Sequence, residues 1–127
     1  MAHVKKISPI LYVDTIEPSL AFWDRLGFQK TAEVPHDGRL GFVILARDGL
    51  EIMYETAAAV EADLPTGQKL VMGGTMLFIE VDDIDEVERA VAGAEVFHER
   101  RTAFYGAEEI YVREPAGNVV GFAQFPK

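Results

Sequence analysis

The sequence predicts an α+β protein made of two βαβββ modules whose curved sheets form a cleft. Three observations predict it. First, the chain repeats itself. Ile10 to Glu17 recurs as Phe78 to Asp85, so that Val13, Asp14 and Ile16 reappear 68 positions on as Val81, Asp82 and Ile84. The same step carries Gly49 to Gly117, Ile52 to Val120 and Tyr54 to Phe122. A repeat of that length is one folding unit used twice. Second, each copy reads as an apolar strand-like stretch, a helical stripe, and three further strand-like stretches. Third, 127 residues suit one compact body, and a chain of that size buries roughly two-thirds of its unfolded surface around a real core.

The first module spans residues 1–56. Ile7 to Val13 is apolar and β-branched and reads as a strand, with Ser8, Ile10 and Tyr12 on one face and Pro9, Leu11 and Val13 on the other. Pro18 suits a first helical turn, where its missing N–H costs nothing. Leu20, Trp23 and Leu26 then recur at helical spacing beside Phe22. Gly27 is the expected C′ residue. Phe28 to Val34, Leu40 to Arg47 and Leu50 to Glu55 are strands. Pro35-His36-Asp37-Gly38 and Asp48-Gly49 are the turns between them, since Asp-Gly tolerates the positive φ angles of tight hairpins.

Residues 57–73 form the linker. Ala57 to Leu64 has helical composition, and Pro65-Thr66-Gly67 and Gly73-Gly74 break structure on either side of its second half. The second module spans 74–127 and repeats the plan. Thr75 to Val81 is a strand. Asp83, followed three residues later by Glu86, forms a variant capping box, and Ile84, Val87 and Val91 supply the apolar stripe before Gly93. Glu95 to Arg101, Glu109 to Arg113 and Val119 to Phe125 are strands, separated by the Phe104-Tyr105-Gly106 loop and the Pro115-Ala116-Gly117-Asn118 turn. Helices would cover one face of each sheet. The opposite faces would meet in the cleft, lined by the first and last strands of each module.

Composition narrows the function. A net charge of −9 argues against nucleic acid, which needs clustered Lys and Arg. It favours neutral or cationic small molecules. The absence of cysteine excludes disulfides, thiolate metal sites and a Cys nucleophile. No apolar run approaches the ~20 residues of a bilayer span, and the first residues lack a signal peptide's apolar segment. The expectation is a soluble cytoplasmic protein with no membrane partner.

The order of elements, with Tyr12-Val13-Asp14, Ser19-Leu20-Ala21-Phe22-Trp23 and Leu26-Gly27-Phe28 in the first module, resembles the vicinal oxygen chelate superfamily. That group takes in glyoxalase I, extradiol dioxygenases, and bleomycin and fosfomycin resistance proteins. Tyr105-Gly106 and Val112-Arg113-Glu114-Pro115-Ala116-Gly117-Asn118 carry the likeness in the second module, with Glu114 and Ala116 where relatives have aspartates. The resemblance implies the glyoxalase/bleomycin resistance fold and a homodimer. It also implies that enzymes of the group hold a divalent metal with His, Glu or Gln on the first and last strand of each module, where it polarises two substrate oxygens. The corresponding positions here are Ser8, Met76, Gly121 and either Glu51 or Met53, depending on register. Gly offers no donor and Met only a soft thioether. Hence no metal and no other cofactor is expected.

The reading that follows is a metal-free small-molecule binder like the bleomycin resistance proteins, with the ligand in an apolar cleft lined by Met53, Met76, Phe78, Glu80, Tyr105 and Trp23. Trp23 is either a stacking wall or core, and the methionines are either pocket lining or core. Glu51 is the candidate catalytic group. Desolvated among Met53, Met76 and Phe78 its pKa would rise and suit a general base. The other possibility is a solvated strand carboxylate. Arg100, Arg101 and Arg113 either meet an anionic ligand or snorkel. The alternative function is a metal-dependent lyase or dioxygenase with a rearranged ligand set drawn from Glu51, Glu55, Glu80 and His98.

Overall fold

The structure, a computed structural model, describes residues 2–127. In chain order it holds β1 (Ile10–Val13), α1 (Glu17–Arg25), β2 (Gln29–His36), β3 (Arg39–Arg47), β4 (Leu50–Thr56) and α2 (Ala57–Asp63). There follow β5 (Met76–Glu80), α3 (Ile84–Ala90), β6 (Glu95–Thr102), β7 (Glu108–Arg113) and β8 (Val119–Gln124). The strands form two four-stranded sheets, ordered β1-β4-β3-β2 and β5-β8-β7-β6. The edge pairs β1/β4 and β5/β8 are parallel, and the other pairs are antiparallel. This is the expected α+β architecture of two βαβββ units, and the sheets curve without closing.

Local chemistry explains the boundaries. β1 begins at Ile10 rather than Ile7 because Pro9 has no N–H to offer the ladder. The Pro9 carbonyl still accepts from the Met53 N–H at 2.9 Å. Asp37 and Gly38, and again Asp48 and Gly49, have φ between 49° and 81°, the left-handed pair that a two-residue hairpin requires. The β6–β7 connection is longer. There the Ala103 N–H donates to the Ala107 carbonyl and the Gly106 N–H to the Ala103 carbonyl, both at 2.8 Å. Asp83 caps α3 by accepting from the Glu86 N–H at 3.1 Å, and Thr56 caps α2 through Ala59 at the same distance.

Along α1 and its C-cap the buried residues are Ser19, Phe22, Trp23 and Leu26, so Phe22, Trp23 and Leu26 stand as expected, Ser19 joins them, and Leu20 packs only at the margin. That stripe, with Leu11, Val43, Ile52 and Tyr54 of the first sheet, joins Ile84, Ile110, Val112, Val120 and Phe122 in one core. The two modules therefore share their helix-side interior.

A buried polar chain closes the junction. Trp23 Nε1 donates to the Tyr54 hydroxyl at 2.8 Å, and that hydroxyl donates to Glu114 Oε2 at 2.7 Å. Ser19 Oγ donates to the same oxygen at 2.8 Å, and the Asn118 N–H to Oε1 at 2.7 Å. Burial, and then the Glu114 charge, push the Tyr54 phenol far above its usual pKa, so it remains a donor. The Glu114 carboxylate, 2% exposed, thus accepts from three donors, two of them in the other module. An unpaired buried carboxylate would be costly, and each donor it satisfies lowers that cost.

Candidate functional site

Alternation along each strand leaves a second, open face on each sheet, opposite the shared core. On the first sheet the cross-strand rows of that face are Ile10–Met53–Ile44 and Tyr12–Glu55–Phe42. On the second they are Phe78–Gly121–Tyr111–His98 and Glu80–Ala123–Glu109–Arg101. The expected cleft between the two open faces is not closed within one chain. Ile10, Met76 and Phe78 remain 52%, 57% and 51% exposed. Among the described residues, no hydrogen bond, ion pair or aromatic pair joins the Glu51–Met53 strand to the Met76–Phe78 strand.

The candidate residues separate accordingly. Glu51 does not become a base of raised pKa. Lys6 Nζ sits 2.9 Å from its carboxylate and Ser8 Oγ donates at 2.7 Å. These two, Lys6 foremost, hold it below the usual carboxylate range and outweigh desolvation. The Ser8 contact also fixes the register, since Glu51 is the residue the first-strand position reaches. Met53 lies beside Ile10. Glu55, deeper on the same face, is pushed up by burial and then by Asp63. Trp23 is core and not a ligand wall. It is fully buried, packed edge-on to Phe22 and Phe28 at 5.3 and 5.2 Å, with its N–H spent on Tyr54.

On the second sheet the candidates converge around a residue the sequence reading passed over. Phe125 meets Phe78 edge-on at 6.3 Å and stacks on Tyr105 at 5.8 Å, and Phe104 stands edge-on to Tyr105 at 5.0 Å. The result is an aromatic wall across the open face, and each such pair is worth about 0.5–1.5 kcal/mol beyond burial. Beneath it lies Glu109, with no exposed surface. Its Oε1 accepts from Arg101 Nε and Nη2 at 3.1 and 2.8 Å and from the Tyr111 hydroxyl at 3.4 Å. Its Oε2 accepts from the Tyr105 hydroxyl. Burial, and then the Glu109 charge, raise the pKa of Tyr111. Glu80, at the end of the same row, is exposed and has no hydrogen-bond or ion-pair partner among the described residues. The alternation of Glu109 and Tyr111 with Ile110 and Val112 placed Glu109 on this face. Its burial comes from the loop carrying Tyr105, which alternation does not reveal.

The metal-ligand positions implied by the resemblance do not fit a metal. The Tyr111 ring lies over Gly121 so closely that a Cβ there would come within 2.3 Å of it. A carboxylate or imidazole could not stand at that position without moving Tyr111. Met76 offers sulfur, Ser8 a hydroxyl, and the Glu51 carboxylate is engaged by Lys6. The rearranged set does not assemble either: no three His, Asp or Glu side chains converge among the described residues. His98 lies exposed on β6, its Nδ1 2.6 Å from the Glu99 carbonyl oxygen.

No helix among the described residues is long and apolar enough to cross a membrane. Among solved structures, the chain superposes on a lactoylglutathione lyase from Agrobacterium tumefaciens with a TM-score of 0.73 at 20% identity, covering 98% of this chain and 96% of that one. It matches a protein of unknown function from A. tumefaciens strain C58 with a TM-score of 0.75 at 22% identity, covering 99% and 98%. A glyoxalase/bleomycin resistance protein/dioxygenase family enzyme from Burkholderia phytofirmans gives 0.73 at 19% identity, covering 94% and 97%. These likenesses establish the fold, and function has to be argued from the site. No curated protein matches the chain. The sequence model of one family matches residues 1–122, and the chain belongs to it: the Glyoxalase/Bleomycin resistance protein/Dioxygenase superfamily.

Proposed function

We propose that this chain is a small-molecule-binding protein whose ligand seats on the open face of the second sheet, against Phe78, Tyr105 and Phe125, without the metal chelate used by enzymes of the superfamily. The observation that carries this reading is the half-exposed aromatic wall standing where Tyr111 has filled the Gly121 position. Apolar and aromatic lining with a few placed polar groups is what a small-molecule site needs.

We take the working unit to be a homodimer. Ile10, Phe42, Ile44 and Met53 give the first sheet an apolar open face, which a second copy would cover and so enclose the ligand. Replacing both Ile10 and Ile44 with glutamate should then yield a monomer by sedimentation. A dimer that survives both changes would place the interface elsewhere.

The test of the binding reading is an equilibrium titration with a neutral planar aromatic such as quinoline. Phe78→Ala should weaken its binding by about fivefold, from the lost ring contact. Equal affinity for the native protein and the variant, or no binding by either, overturns the reading. Calorimetric titration of chelator-stripped protein with Ni²⁺, Mn²⁺, Fe²⁺ or Zn²⁺ should show no stoichiometric site of micromolar affinity. Such a site would bring the metal-dependent lyase or dioxygenase reading forward.

A further inference from the structure

The aromatic wall covers a carboxylate. We propose that Glu109 is the polar anchor of the ligand site and Tyr105 its removable cover, so that a planar ligand bearing a protonated nitrogen displaces the Tyr105 hydroxyl and pairs with Glu109. This rests on the binding reading above and names the class of ligand.

Three features of the site lead there. The two oxygens of Glu109 are held unequally. Oε1 is gripped by the guanidinium of Arg101, with Tyr111 behind it, whereas Oε2 has only the neutral phenol of Tyr105. Both a phenol and a cation would donate to an ionised acceptor. Only the cation adds Coulomb attraction between opposite charges, which is strong at a site shielded from water, so a cationic donor at Oε2 outcompetes that phenol. Second, the cover is mounted to move. Tyr105 is 41% exposed and Phe104 beside it fully exposed. Both sit in the β6–β7 loop, tied across its base by two backbone hydrogen bonds. Rotating Tyr105 outward would uncover Oε2 without disturbing the ladder between β6 and β7.

Third, the charge count of the row favours a cation. Along Glu80–Ala123–Glu109–Arg101 the guanidinium offsets one carboxylate and leaves the unpartnered Glu80, a surplus of one negative charge. Phe78 and Phe125 offer ring faces beside it, and a cation over such a face gains further from the ring quadrupole. An anionic ligand would meet Glu80 with no free cation in the row. A neutral ligand would gain the wall but have no reason to displace Tyr105.

The experiment compares two probes of one shape, 4-aminoquinoline, which is protonated at neutral pH, and quinoline, which is neutral. The native protein should bind 4-aminoquinoline at least about tenfold more tightly than quinoline, the scale of one charge-assisted hydrogen bond. Glu109→Gln should bring the ratio close to one. Tyr105→Phe, which removes the hydroxyl and keeps the ring, should tighten 4-aminoquinoline several-fold and so raise the ratio of the two affinities. It also decides the matter if Glu109→Gln fails to fold. Equal affinity for the two probes, or a preference untouched by either variant, overturns the anchor while leaving the aromatic site standing, provided Phe78→Ala still weakens both. If neither probe binds the native protein, anchor and aromatic site fall together.

Discussion

Phe42 of the first module and Glu109 of the second occupy the same place in their sheets. Phe42 lies opposite Glu55 and Glu109 opposite Ala123, and Glu55 and Ala123 are one repeat apart. The neighbouring pair behaves likewise: Ile44 faces Met53, and Tyr111 faces Gly121. The backbone register is common to both modules. Charge has moved across the strand pair at one site, and bulk has moved across it at the other. The hairpins differ as well. The first module turns on two residues, Asp37 and Gly38, while the second carries Tyr105 out on a loop that folds back over Glu109. The comparison teaches that the repeated unit fixes where side chains stand, and that specialisation here consists of exchanges between adjacent strands plus one lengthened connection.

The largest test of this asymmetry is at the junction. Only the second module sends a carboxylate across, and Glu114→Ala leaves the hydroxyls of Ser19 and Tyr54 and the Asn118 N–H without their acceptor. The expected loss is about 3 kcal/mol, read from urea unfolding. A loss below about 1 kcal/mol would mean that apolar packing alone joins the modules. Next comes the exchange of bulk. Gly121→Met should destabilise by about 1–3 kcal/mol through overpacking against Tyr111. Adding Tyr111→Ile, which recreates the Ile44–Met53 pair of the first module, should recover at least about 1 kcal/mol as a coupling energy. Additive costs would show that the two pairs are not equivalent. A smaller effect is expected at the loop. Tyr105→Ala should cost about 1 kcal/mol through the lost ring pairs and open Glu109 to carbodiimide labelling, seen by mass spectrometry, whereas Glu109 of the native protein should resist.

The smallest effect concerns Glu51. Its folded-state pKa is lowered by Lys6 and then Ser8 from an ordinary value of 4.5. The stabilisation is therefore present above that value and is lost as the pH falls through the folded-state pKa. Glu51→Gln should accordingly differ from the native protein near neutral pH and converge with it in acid. A difference that instead grew on acidification would reverse the sign of the shift.

Much of the fold was legible because it rests on local chemistry. The Asp-Gly hairpins, the Asp83 cap and the 68-residue repeat each act over a few residues or by direct comparison. The site was legible only in part. Phe78 and Tyr105 were picked out as ligand-facing aromatics, yet the ring that joins them, Phe125, stood at the end of a strand with nothing to mark it. Glu51 stays open in the sequence between a desolvated base and a solvated strand carboxylate, because the Lys6 that pairs with it lies in the N-terminal segment, far off along the chain. Trp23 could be read as wall or core, and the choice turned on the Tyr54 hydroxyl, which takes its N–H. Glu109 went unnoticed because burial by a loop leaves no periodic trace.

The chain has one tryptophan, and it sits at the head of the hydrogen-bonded chain from Trp23 through Tyr54 to Glu114. Its indole is therefore a spectroscopic gauge of the seam between the halves. Emission from Trp23 should shift to the red when the modules part, even if each keeps its own strands. Because the indole lies in the shared interior and the Phe78 wall on an open face, the same emission should be nearly indifferent to occupancy of that wall. One native fluorophore can thus follow the coming apart of the protein while a ligand is being titrated, with little cross-talk between the two signals.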